Sequence, residues 1–157
     1  MASLNAFLVA VEMAERRRDA ARQTLQDVRS AREAAQAQLD QLEGYAAETQ
    51  GRWGMRADTA VQPEVMFHHY HFMGRLEHAI GLQTGVVGGQ EERVEKAAQA
   101  LLEAELRLSS LRKALEHRRR ALELQQQRHE QKETDERASL LFGRMGRAGM
   151  GETHQEQ

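Results

Sequence analysis

Apolar residues recur every seven positions along this chain, and the pattern is interrupted once, around its only proline. In the first third one seam reads Leu4, Val11, Arg18, Leu25, Arg32, Leu39, Ala46 and Trp53. A second, three residues on, reads Phe7, Ala14, Ala21, Val28, Ala35, Leu42 and Thr49. A seven-residue repeat held without a stutter marks a helix that supercoils left-handedly against another helix. At ~1.5 Å per residue it would run roughly 75 Å.

Pro63 follows Gly51, Gly54, Asp58 and Thr59, and proline suits the first turn of a helix, where its missing N–H is no loss. The spacing therefore predicts a turn at 57–62 and a second helix from 63. Its seams read Met66, Met73, Ile80, Val87, Val94, Leu101, Leu108, Leu115, Leu122 and His69, Leu76, Gln83, Gln90, Ala97, Ala104, Leu111, Arg118. Beyond Leu122 the same positions become Gln125, His129, Lys132 and Glu136. If the chain folds back near residue 60, facing positions total about 120, and the second seam turns polar where its partner helix runs out. The fold expected is all-α: a long antiparallel two-helix coiled-coil hairpin with an overhanging C-terminal helix. Its bounds are helix 3–56, turn 57–62 and helix 63–142, with the glycine-rich segment 143–157 as a disordered tail. A parallel dimer of one long helix explains neither the proline nor the loss of the seam.

Composition agrees with helices more than with a layered core. Aromatics make up 4% of the 157 residues and charged residues 29%, a balance typical of coiled coils. The net charge of −2, from 22 basic and 24 acidic residues, gives no global pull toward nucleic acid or a membrane surface. The absence of cysteine excludes disulfides, thiolate metal sites and thiol catalysis. The apolar start, Leu4 to Val11, lacks a basic flank and meets Glu12 and Glu15, unlike a signal peptide. No stretch reaches the ~20 apolar residues of a bilayer span. A soluble cytoplasmic protein without direct membrane insertion is expected.

Candidate chemistry is sparse. His68 and His71, with His69 and His78 nearby, could offer two metal ligands from one helix face, but nothing completes the shell. No metal and no cofactor are expected. Gly81 to Gly89 lacks the strand and the Gly-Lys-Ser/Thr of a phosphate loop. Two helices enclose no pocket in which to tune a carboxylate, so the chain is read as a non-enzyme. Gly74, Gly81, Gly85, Gly88 and Gly89 each cost about 1 kcal/mol in a helix. They either bend or break it, or, at Gly85 to Gly89, allow close approach to Ala31, Ala34 and Ala35.

Two arginine runs stand out. Arg16, Arg17 and Arg18 fall opposite Glu103 and Glu105, which predicts cross-helix ion pairs. Arg118, Arg119 and Arg120, with Arg107, Arg112, Lys113 and Arg128, make the terminal end basic: a solvated face, or a docking surface for an acidic partner. No aromatic platform accompanies them for nucleic acid. Tyr45, Trp53, Phe67, Tyr70 and Phe72 gather toward the turn. Two helices cannot bury them all, and an exposed aromatic cluster marks a partner site.

Three stretches carry a family resemblance: Gln38-Leu39 through Leu42 and Tyr45; Tyr70 through Ile80; and Arg128 through Lys132 followed by Asp135-Glu136. They resemble the FliJ family, the small coiled-coil component of the bacterial flagellar type III export apparatus. The resemblance implies an antiparallel hairpin similar to the central shaft subunit of rotary ATPases. It also implies a location at the cytoplasmic face of the inner membrane. The implied partners are the hexameric export ATPase FliI, the export gate FlhA and export chaperones. The gate-binding patch of the family maps onto Gln38, Leu42, Tyr45, Phe72, Leu76 and Ala79. The sequence departs from the family at Thr49 and Gln83 and in its glycines at 81, 85, 88 and 89. On this reading Arg118, Arg119 and Arg120 face the ATPase. The alternatives are the equivalent stalk of a virulence type III secretion system, a generic coiled-coil scaffold, and a metal- or nucleic-acid-binding helical protein.

Overall fold

A computed structural model describes residues 3–56 and 62–152, with side chains at 3–53 and 62–148. Two helices account for the described chain: α1, Leu4–Arg56, and α2, Pro63–Glu152. Ser3 opens α1 by accepting the Ala6 N–H on its hydroxyl at 3.2 Å and the Phe7 N–H on its carbonyl. That is a serine N-cap satisfying two donors of the first turn. The Gln62 carbonyl accepts the N–H groups of Val65 and Met66, with Pro63 in the first helical position. Residues 57–61 of the expected turn lie outside the described residues.

The chain divides into two units, Met13–Leu108 and a second made of Met1–Glu12 with Ser109–Gln157. In the first, α1 and α2 pack antiparallel. Arg22 pairs with Glu105, Arg32 with Glu91, Gln38 with Gln83, Tyr45 with Phe72 and Trp53 with His69, so numbers rise on one helix as they fall on the other. Its buried apolar residues are Ala14, Leu25, Ala35, Leu39, Met73, Leu76, Val87, Ala97 and Leu108. In the second unit, Val11 and Leu115 are buried. All of these occupy the two heptad seams read from the sequence. Ala35, Leu39 and Val87 cluster, with Ile80 packed against them.

The overhang belongs to the second unit. From Glu123 to Ala148 every side chain of α2 is exposed. Glutamine and histidine side chains there bond along the helix, Gln126 to Glu130 and His129 to Glu133. The helix does not stop at Gly143 as expected but continues to Glu152. Glycine ends helices by adopting a left-handed conformation. No described glycine has a positive φ, and no proline follows to force a stop.

The glycines of α2 need a second correction. The helix neither breaks at Gly81–Gly89 nor approaches α1 through them. A Cβ built on Gly74, Gly81, Gly85, Gly88 or Gly89 meets nothing within 4 Å. With Met73, Ile80 and Val87 at the first seam position, these glycines take the positions that point away from the partner helix. Their phase in the heptad carried that signal.

Candidate partner-docking surface

Four of the six patch residues stand one position before a first-seam residue. Gln38 precedes Leu39, Tyr45 precedes Ala46, Phe72 precedes Met73 and Ala79 precedes Ile80. In an antiparallel pair these positions form one shoulder of the seam, so residues far apart in sequence come together on it. Tyr45 and Phe72 meet there edge to face, with ring centroids 5.9 Å apart and planes at 86°. Tyr45 remains 52% exposed and Phe72 37%. Gln38 is exposed and Ala79 half-buried.

The remaining two residues lie in the seam itself. Leu42 is half-buried, and Leu76 is 7% exposed, a core residue whose surface is spent on packing. Leu76 is buried as its place in the second seam requires, on the same helix as Phe72 and Ala79.

Gln83 does something the sequence did not reveal. Its amide nitrogen donates to the Ala35 carbonyl at 2.9 Å and to the Gln38 side-chain oxygen at 3.2 Å. One polar seam residue thus clamps α2 to the backbone of α1 and orients a patch residue. Only the relative rotation of the helices decides whether a seam glutamine finds such an acceptor.

Toward the turn, the Trp53 and His69 rings lie 4.0 Å apart, tilted by 31°. Phe67 contacts His71 edge-on at 4.4 Å. Met66, Phe67 and Tyr70 are exposed, as the excess of aromatics over seam positions requires. His68, whose ring also lies edge-on to Phe67 at 6.1 Å, His69 and His71 are thus occupied with aromatic rings. Among the described residues no three His, Asp or Glu side chains gather in metal-binding geometry.

The arginine runs separate into different roles. Arg18 bonds to its neighbour Asp19 at 3.0 Å, and Glu105 is paired with Arg22 instead. The expected pairing of Arg16–Arg18 with Glu103 and Glu105 is corrected accordingly. Arg18 occupies the seam, whereas Arg22 and Glu105 both follow second-seam residues and share the other shoulder. In the second unit, Arg118 is half-buried in the seam with its Nε unpartnered, Arg120 pairs with Glu116 at 3.1 Å, and Arg119 is exposed. Two of the three thus present charge to solvent. The residues of the third resemblance stretch, Arg128, Gln131, Lys132, Asp135 and Glu136, line one open face of the overhang, where no hairpin packing accounts for them.

None of the curated proteins compared with this chain matches it. Among solved structures, one described as that of a YscO homolog from Chlamydia trachomatis is similar over 98% of this chain and 94% of its own. Its TM-score is 0.82 at 18% sequence identity, a likeness of fold. A family model described as flagellar FliJ protein matches residues 5–147, through both helices and most of the overhang. The paired heptads, the aromatic shoulder and that match together place the chain in the FliJ family.

Proposed function

We propose that this protein is a non-enzymatic stalk of the flagellar type III export apparatus, coupling the export ATPase FliI to the export gate FlhA and escorting export chaperones. It would act in the cytoplasm at the face of the inner membrane, in flagellum assembly and hence motility. Family membership over residues 5–147 supports a part in type III export. The observation that carries the gate assignment is the half-exposed Tyr45–Phe72 pair, set beside Gln38, Leu42 and Ala79 and backed by Leu76. Aromatics that pack on one side and face water on the other are common anchors of protein interfaces. Arg119 and Arg120, with Arg118 in the seam behind them, are the residues proposed to face the ATPase. The flagellar description of the matching family favours this reading over the equivalent virulence stalk.

The test is co-purification of the full chain with the ATPase, with and without nucleotide, and separately with the cytoplasmic part of the gate. Retention of both partners is expected. Retention of neither would overturn the proposal.

A further inference from the structure

The overhang carries an apolar cluster that nothing among the described residues covers. Leu140, Leu141, Phe142 and Met145 are 68%, 60%, 81% and 74% exposed. Ala138, Leu141, Phe142, Met145 and Ala148 fall at i, i+3, i+4, i+7 and i+10, so they share one face of α2. Arg137 and Arg144 flank that face on one side and border a shallow concavity with Leu140 and Leu141, while Arg147 lies on the far side of the helix. Residues 137–148 hold three arginines and no acidic residue. Just before them stand Glu130, Glu133, Asp135 and Glu136, so the sign of the helix changes between Glu136 and Arg137.

We propose that residues 137–148 form an interfacial segment that lies on an anionic phospholipid surface. Ala138, Leu141, Phe142, Met145 and Ala148 enter the acyl boundary, Arg137 and Arg144 lie among the headgroups along one flank, and Arg147 adds charge attraction from the outer side. Cationic helices with a Leu and Phe face bind such surfaces by adding apolar burial to charge attraction. Arginine stems lie along apolar surface while the guanidinium groups reach the headgroups. A protein groove would select through shape and hydrogen bonds. This segment offers Ser139 as its one uncharged polar side chain and has neither Tyr nor Trp. Oil and positive charge alone are what a lipid surface reads. The acidic run before Arg137 is repelled by the same surface and limits contact to the segment. The helix lies on the membrane and does not cross it: no helix of the described residues is long and apolar enough to span.

The test is sedimentation of the full-length protein with vesicles of phosphatidylcholine, alone or mixed with phosphatidylglycerol. Pelleting with the mixed vesicles only, weakening as salt rises, is expected. Replacing Arg137, Arg144 and Arg147 together with glutamine should lower partitioning roughly a hundredfold. Leu141→Ser with Phe142→Ser should abolish it at every salt concentration. Thermal unfolding of the hairpin should not change in either variant, because the altered side chains are exposed. No pelleting with anionic vesicles, or equal pelleting of the arginine variant, would overturn the proposal. If vesicles are ignored but the same variants weaken binding to the purified ATPase, the occupant is an acidic protein surface and the lipid proposal fails. The assay contains no export partner, so its failure leaves the stalk reading standing.

Discussion

Tyr45 and Phe72 contact each other across the two helices, edge to face at 5.9 Å, while about half of the tyrosine stays open to solvent. Both rings stand on one shoulder of the seam, where a side chain packs laterally without entering the core. The pair can therefore contribute modestly to the hairpin and still present aromatic surface outward.

Removing this pair should separate binding from stability. An aromatic pair contributes ~1 kcal/mol beyond its buried area, whereas an interface hot spot contributes about 2 kcal/mol or more. Tyr45→Ala with Phe72→Ala should lower thermal stability slightly and strongly weaken gate binding and motility. Leu76→Ala is the contrast: a buried leucine, it should cost roughly 2–5 kcal/mol in urea unfolding. Normal gate affinity in the double aromatic variant would refute the patch.

The outward glycines make a prediction of opposite sign. Gly81→Ala, Gly85→Ala and Gly88→Ala each place a methyl in open space. Each should stabilise the protein by about 0.5–1 kcal/mol, since alanine loses less backbone entropy in a helix. Calorimetry measures the rise in melting temperature. A fall would mean that this face is packed.

Gln83 should prove worth more than a seam glutamine ordinarily is. Gln83→Ala removes both bonds to α1, to the Ala35 carbonyl and to Gln38, and should cost about 1–2 kcal/mol at ~1 kcal/mol per bond. Gln38→Ala leaves the carbonyl bond in place and should cost less. Equal losses in chemical denaturation would show that the backbone bond contributes nothing.

The two exposed arginines are expected to govern ATPase affinity through charge. Arg119→Glu with Arg120→Glu should weaken ATPase binding most at low salt, because exposed charges are screened over ~10 Å at 0.1 M. Helix content by circular dichroism should barely change, since the Arg120–Glu116 pair is solvent-exposed and contributes little. Undiminished ATPase stimulation at low salt would remove these residues from the interface.

The heptads and Pro63 by themselves determined that two helices form, that they pair antiparallel, and which residues fill the seam. Val11, Leu25, Leu39, Met73, Val87 and Leu108, all buried, could be named from spacing alone. A period fixes which face each helix turns inward, and a single break in it fixes where the chain reverses. The same phase carried the outward setting of the glycines and the shared shoulder of Tyr45 and Phe72. Tertiary structure decided what depends on the rotation and axial offset of one helix against the other, which no single-helix period contains. It set Arg22 rather than Arg18 against Glu105, and turned the Gln83 amide onto the Ala35 carbonyl. Long polar side chains reach several ångströms along a partner, so their pairings follow the offset that core packing selects. Past Leu122, where no partner constrains α2, charge and exposure along one helix are what remain to be read.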